Sequence, residues 1–243
     1  MLIINADDWG RSAGETDAAL SCYDDAKITS VSAMVFMADS IRAANIALGR
    51  HIPTGLHINL NEPFSAPPPD PEIQSRHKRI VRFLNRARYS QLLFNPLLRE
   101  HFRRVYRAQV EEFVRIYRQP PTHYDGHQHM HLCTNMLVTV PIPPGQKVRR
   151  SFSFRPREKG VLNRAYRFLV YRRLRSRYRV TEYFFALSQY LGTDRIGRVC
   201  KLASSANVEL MTHPVVQREQ AFLRSKEFAQ ALRGLLLGSY ADL

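Results

Sequence analysis

Between His123 and His131 the chain reads His-Tyr-Asp-Gly-His-Gln-His-Met-His, which puts four of its nine histidines and a carboxylate in one short stretch. Pro120 and Pro121 precede it and favour an extended approach. In an extended run side chains alternate faces. His123, Asp125 and His127 then share one face, His129 and His131 lie beyond, and Tyr124 and Gly126 point away. Imidazoles beside a carboxylate suit a divalent metal. One ion cannot use every group, so some must orient the ligands or face a substrate.

Other candidates sit at the ends of short apolar runs. Leu2 to Ala6 reads as a buried strand and ends in Asp7-Asp8-Trp9-Gly10. Adjacent carboxylates there are costly unless they meet a cation or a proton donor. Gly55 to Leu60 reads as another strand, with His57 and Asn59 on one face. Val208 to Thr212 is a further strand, followed by His213-Pro214. Taken singly, each has a plainer reading: a polar loop and helix cap for the aspartates, a core histidine for His57. Their common placement is the stronger signal.

The elements that must position these groups follow from pattern. Ser12 with Glu15 forms a capping-box signature for a helix to about Lys27. Val31 to Phe36 reads as a second strand, and Asp39 caps a helix ending near Gly49. Residues 62–79 are proline-rich and read as a loop, a lid or substrate wall. Asn95-Pro96 opens a long helix to about Arg118, with an apolar stripe that includes Phe102, Tyr106, Phe113, Val114 and Tyr117. Met136 to Ile142 fits either a strand or a helix. Strands alternating with helices predict an α/β fold with parallel strands, and such folds build their sites at the carboxyl ends of the strands.

Composition bounds the rest. The chain has 243 residues, is 44% hydrophobic and carries a net charge of +15. That length suits one large domain or two small ones, and 1–243 is read as one. Three scattered cysteines form no CxxC pair. The N-terminus meets acid too early for a signal peptide, and no apolar run approaches the ~20 residues of a membrane span. From Arg149 to Arg179 there are twelve basic residues against Glu158 alone. Leu162 to Arg177 reads as a basic amphipathic helix suited to an anionic membrane, a phosphorylated substrate or nucleic acid.

Asn-Ala-Asp-Asp-Trp-Gly at 5–10, Gly-Leu-His-Ile-Asn-Leu at 55–60, Pro-Thr-His-Tyr-Asp-Gly-His-Gln-His-Met-His at 121–131 and Glu-Leu-Met-Thr-His-Pro at 209–214 resemble, in order, the motifs of the YdjC-like (ChbG/HpnK) carbohydrate deacetylases. Gly-Ser-Tyr at 238–240 matches that family's ending. Trp9 stands where the family commonly has Phe, and Phe36 where relatives often carry a small polar residue. The resemblance implies a distorted (β/α) barrel, TIM-barrel-like and single-domain, that removes the N-acetyl group from an amino sugar. It implies that Asp8, His57 and His127 hold one divalent metal, zinc or magnesium, with manganese, cobalt and nickel also compatible. Asp7 would be the general base and His213 the general acid. Asn59, Asp125, His129 and His131 would stand behind the ligands or on the sugar.

The expected partner is an N-acetylated amino sugar on an oligosaccharide or lipid-linked glycan. The basic segment 149–179 would touch an anionic membrane or glycolipid, and no nucleic acid is expected. The expected location is the cytoplasm, peripheral to the inner membrane face where the substrate is lipid-linked. Oligomeric state is left open, a homodimer included. Two other classes compete: a phosphoesterase with paired metals, and a nucleic-acid-binding protein suggested by charge alone.

Overall fold

The computed structural model describes all residues except 88, 140–141, 155–159 and 192, and the side chains of Thr193 and Asp194. Its elements run β1 (Leu2–Trp9), α1 (Ala13–Asp24), β2 (Ser30–Ala33), α2 (Ser40–Arg50), β3 (Thr54–Ile58), α3 (Pro71–Leu84), α4 (Arg99–Tyr117) and β4 (Tyr124–Gly126). They continue with α5 (Thr134–Thr139), α6 (Val161–Arg175), β5 (Tyr183–Ala186), α7 (Thr193–Ala203), β6 (Val208–Thr212), α8 (Gln217–Leu223), α9 (Lys226–Ala231) and β7 (Leu237–Gly238).

All strand pairings are parallel, in the order β4-β3-β2-β1-β6-β5, with β7 added beside the start of β1. The sheet curls into a distorted (β/α) barrel, as expected. Residues 147–149 span the gap between its ends. They bridge Tyr124 through Val148 on one side and Arg179 through Lys147 on the other.

Period-two alternation divides two environments. Leu2, Ile4, Val31, Leu56, Val208 and Leu210 belong to one apolar core cluster, together with buried residues of the surrounding helices. Asn5, Asp7, Ser32, His57, Asp125 and Glu209 meet in a polar interior, each no more than 4% exposed. Buried polar groups must find partners, and these find one another. Ser30 Oγ donates to Asn5 Oδ1 at 2.7 Å, and Asn5 Nδ2 donates to Ser32 Oγ at 2.7 Å. Ser32 in turn donates to Asp125 Oδ2 at 2.8 Å.

Several sequence expectations need correction. The loop predicted over 62–79 ends at Asp70, whose side chain accepts from Glu72 N and starts α3 with Pro71 in the first turn. That is the usual helix-opening use of proline. The second strand stops at Ala33, not Phe36. The Ser12 hydroxyl turns to the Glu15 carboxylate instead of capping a backbone N–H. Asp39 likewise caps nothing with its side chain and pairs with Arg42. Within the α4 stripe, Val114 is 42% exposed and Ile116 is buried in its place. The ambiguous stretch 136–142 is helical through Thr139; Val140 and Pro141 lie outside the described residues. The extended run through the histidines stops at Gly126, and His127–Leu132 winds into a 3₁₀ turn with Gln128 and His129 in the left-handed region.

Candidate metal centre and active site

The backbone at the carboxyl ends of β1 and β4 is shaped to gather ligands. Asp8 has φ 66° and sits at a break in the β1–β2 register. Left-handed backbone is uncommon outside glycine and best tolerated by Asn and Asp. Here it lets two successive aspartates both reach the rim. Gly126 makes the second adaptation: a Cβ there would lie 2.8 Å from the His131 backbone nitrogen, so only glycine lets the histidine turn fold back so tightly.

Three of the predicted ligands converge. Donor atoms of Asp8, His57 and His127 all lie within 4.8 Å of one another. Asp8 Oδ1 is 2.9 Å from His127 Nδ1 and 3.3 Å from His57 Nε2. His57 Nδ1 is 2.9 Å from Asp125 Oδ1. That carboxylate–histidine pairing fixes the ring and aims Nε2 at the centre, as in many metal sites.

Electrostatics fit a cation. Burial opposes ionisation of Asp8, yet hydrogen bonds from His127 and His57 hold its carboxyl well below the usual range. Burial also works against a charge on His57, but Asp125, then Asp7 and Asp8, outweigh it and raise the imidazole to about 10. Asp7 and Asp125 pair with one guanidinium, Arg149, and Asp8 lies 3.8 Å from Arg11, so the three carboxylates gather more negative than positive charge, which a divalent ion would balance. Donor type, spacing and charge all suit one such ion.

Arg149 was not among the predicted site residues. The sequence places it at the start of the basic segment, but it is wholly buried. It donates to both oxygens of Asp7 at 2.7 Å, lies 2.6 Å from Asp125 Oδ2, and donates from Nε to Glu209 Oε1 at 2.8 Å. Burial disfavours its charge, but Asp125, Asp7 and Glu209 raise its pKa well above the ordinary value. Glu209 also accepts from the Tyr240 hydroxyl, and burial pushes its carboxyl up to about 7. Glu62 is another omission. It stands 3.1 Å from His127 Nε2 and pairs with Arg11 at 3.0 Å, over the rim. The sequence carries one signal for the Arg149–Glu209 pair: Glu209 is the single acid in a mostly apolar strand, and a buried acid needs a buried partner.

The remaining predicted residues separate. Ala6 pairs with Thr212 in register, so Asp7 and His213 are the next residues on neighbouring strand ends. Glu219 secures that end by accepting from Thr212 Oγ1 at 2.9 Å and His213 N at 2.8 Å. Asn59 supports the rim loop, its Oδ1 accepting from Glu62 N at 3.0 Å. His131 donates from Nε2 to the Arg149 carbonyl at 3.0 Å, and burial lowers its pKa to about 4. His129 sits edge-on to Phe152 at 4.5 Å and lines a cleft of about 170 Å³ with Leu92 and Tyr166. His123 lies deeper, stacked on Tyr240 at 4.0 Å.

The chain is 33% identical over 138 residues to a chitooligosaccharide deacetylase of Serratia marcescens, covering 54% of this chain and 51% of that protein. It is 30% identical over 166 residues to a carbohydrate deacetylase of Mus musculus, covering 66% and 52%. The matched regions thus span about half the length of these relatives. A crystal structure from Enterococcus faecalis V583, named for cellobiose-phosphate cleavage, superposes over 99% of this chain and 97% of its own with a TM-score of 0.67 at 18% identity. It shares the fold. The family described as YdjC-like protein matches residues 1–234, and the chain belongs to that family.

Proposed function

We propose that this protein hydrolyses the acetamide of an N-acetylated amino sugar. The observation that carries the reading is the Asp8–His57–His127 donor set beside Asp7, with His213 on the adjoining strand end. A divalent ion held by Asp8, His57 and His127 would supply Lewis acidity; the donor types suit zinc, and magnesium is the other candidate.

The chain's own groups divide the remaining work. Asp7 takes a proton from the attacking water. Arg149 and Asn5 hold its carboxylate in one orientation, Asn5 Nδ2 reaching Oδ1 at 2.9 Å. Each carboxylate oxygen accepts more than one hydrogen bond, so Oδ2 keeps capacity beyond its bond to Arg149. The water oxygen bonds to the acetamide carbon, the C–N bond breaks, and acetate departs. His213 gives its proton to the nitrogen, which otherwise leaves poorly. Asp125 orients His57. The sugar is carried on an oligosaccharide or a lipid-linked glycan, and the enzyme works in the cytoplasm, at the inner membrane face where the carrier is a lipid.

Arg149 also argues against a two-metal phosphoesterase. A second potential donor group, Asp7, His57 and Asp125, exists, but the guanidinium already bonds both of its carboxylates. The test compares acetate and amine release from N-acetylglucosamine oligosaccharides with phosphate release from a phosphomonoester, using metal-reconstituted protein. Amine release without phosphate release is expected; the opposite result would overturn the reading.

A further inference from the structure

The outward side of α6 displays apolar side chains that a helix on an ordinary surface would bury. Val161 is 79% exposed, Leu162 87%, Phe168 57% and Leu169 62%. At 3.6 residues per turn they lie opposite Val170 and Leu174, which anchor the helix to the core. Arg164, Arg172, Arg173 and Arg175 border this face. Some arginines on other helices pair with glutamates of the same helix: Arg76 with Glu72, Arg104 with Glu100, Arg115 with Glu112. α6 contains no acid, and among the described residues none of its arginines forms an ion pair with a carboxylate. Glu158, the acid of the preceding segment, lies outside the described residues, as do Arg155, Arg157 and Lys159.

A second apolar patch stands nearby. Leu93 is 60% exposed, Phe94 44% and Leu97 85%. Thr134 Oγ1 ties this segment to the start of α5 through the Leu92 carbonyl at 2.9 Å, and Asn95 and Asn135 exchange bonds at 2.9 and 2.8 Å. Leu92 from this segment and Tyr166 from α6 line the same cleft as Gln128 and His129. The two patches therefore flank one opening beside the candidate site.

We infer that this face docks on an anionic lipid bilayer, with the cleft mouth toward the membrane. Exposed leucines and Phe168 enter the headgroup–acyl boundary, and the bordering arginines meet lipid phosphates. A nucleic acid would satisfy the arginines but leave Leu162, Phe168 and Leu169 in water. A second copy of this chain would oppose arginine to arginine. Docking stands independently of the deacetylase reading; only its corollary, that the amino sugar is presented from the membrane, rests on it.

Co-sedimentation with phosphatidylcholine vesicles, with and without phosphatidylglycerol, tests this. The wild type is expected to partition onto phosphatidylglycerol vesicles, and added salt to weaken the binding. The double variant Leu162→Ser/Leu169→Ser and the triple variant Arg172→Gln/Arg173→Gln/Arg175→Gln should each lose about tenfold or more in partitioning. Unchanged thermal melting would show that neither variant has unfolded. Equal binding by wild type and variants, or no dependence on phosphatidylglycerol, would overturn the proposal. So would a dimer in sedimentation velocity that the leucine variant dissociates, or duplex DNA binding tighter than vesicle binding and indifferent to Leu162 and Leu169. Wild-type turnover of a water-soluble acetylated oligosaccharide, measured in parallel, separates failure of docking from failure of the deacetylase reading.

Discussion

The Arg149 guanidinium grips Asp7 with both terminal nitrogens, Nη1 to Oδ2 and Nη2 to Oδ1 at 2.7 Å each, across 142 residues of sequence. The same group reaches Asp125 and Glu209, so one cation anchors three buried acids from three strands. Bidentate geometry of this kind fixes direction as well as charge.

Arg149→Met should therefore strand three buried carboxylates. Removing one partner from a buried ion pair costs about 3–5 kcal/mol, which lowers the melting temperature by roughly 6–20 °C in a chain of this size. Arg149→Lys keeps the charge but not the fork; it should melt nearer to wild type, while its turnover falls with metal affinity retained. Differential scanning calorimetry on both variants checks this, and a methionine variant as stable as wild type would contradict it.

Gly55 makes room for His123. A Cβ at position 55 would lie 2.2 Å from the His123 ring, which is fully buried, stacked on Tyr240 and 3.0 Å from Ser32 Oγ. The ring cannot swing aside cheaply, so Gly55→Ala should destabilise by about 1–3 kcal/mol or more, as overpacking does. Gly14 in α1 meets only Ser12 Oγ at 3.7 Å; Gly14→Ala should be neutral or stabilising by about 0.5–1 kcal/mol. Urea midpoints of the two variants should move in opposite directions, and a Gly55→Ala midpoint at or above wild type would refute the packing argument.

His77 gives a pH dependence. It stacks on Phe64 at 3.7 Å and donates from Nε2 to the Asn59 carbonyl at 3.1 Å. Burial lowers its pKa from 6.5 to about 4, the Asn59 hydrogen bond opposing in part. The unfolded chain then binds the proton more readily than the folded one between those values. Stability must fall as pH drops from about 6.5 towards 4, by up to about 3 kcal/mol from this group. His77→Gln, whatever its absolute stability, should show a shallower slope over that interval in denaturant titrations. Parallel slopes would rule the assignment out.

Much of the site was legible because apolar runs bound the strands and the polar residues stand at their ends. Asp7, Asp8, His57, His127 and His213 follow from that rule, and the motif order adds the family. The polar interior was not legible in the same way. Arg149 looks like one more member of a basic run, since nothing local distinguishes a buried arginine from its exposed neighbours. Two of its three acidic partners are 60 and 142 residues away, and pairing at that range is a property of the sheet order. The proline-rich stretch misled for a different reason. Five prolines suggest a loop, but Asp70-Pro71 is also a helix start, and α3 follows it. The left-handed turn at Gln128 and His129 left no trace in the residue types, which are ordinary ones for extended backbone.

The most direct test of the central claim measures metal content and amine release on the same preparations of wild type, Asp7→Asn and His127→Ala. Wild type should bind one divalent ion per chain and release amine from an acetylated amino sugar. Asp7→Asn should keep the ion and lose roughly 10²–10⁴ in turnover, whereas His127→Ala should lose both. Amine release by Asp7→Asn at the wild-type rate, or by His127→Ala with no ion bound, would contradict the account.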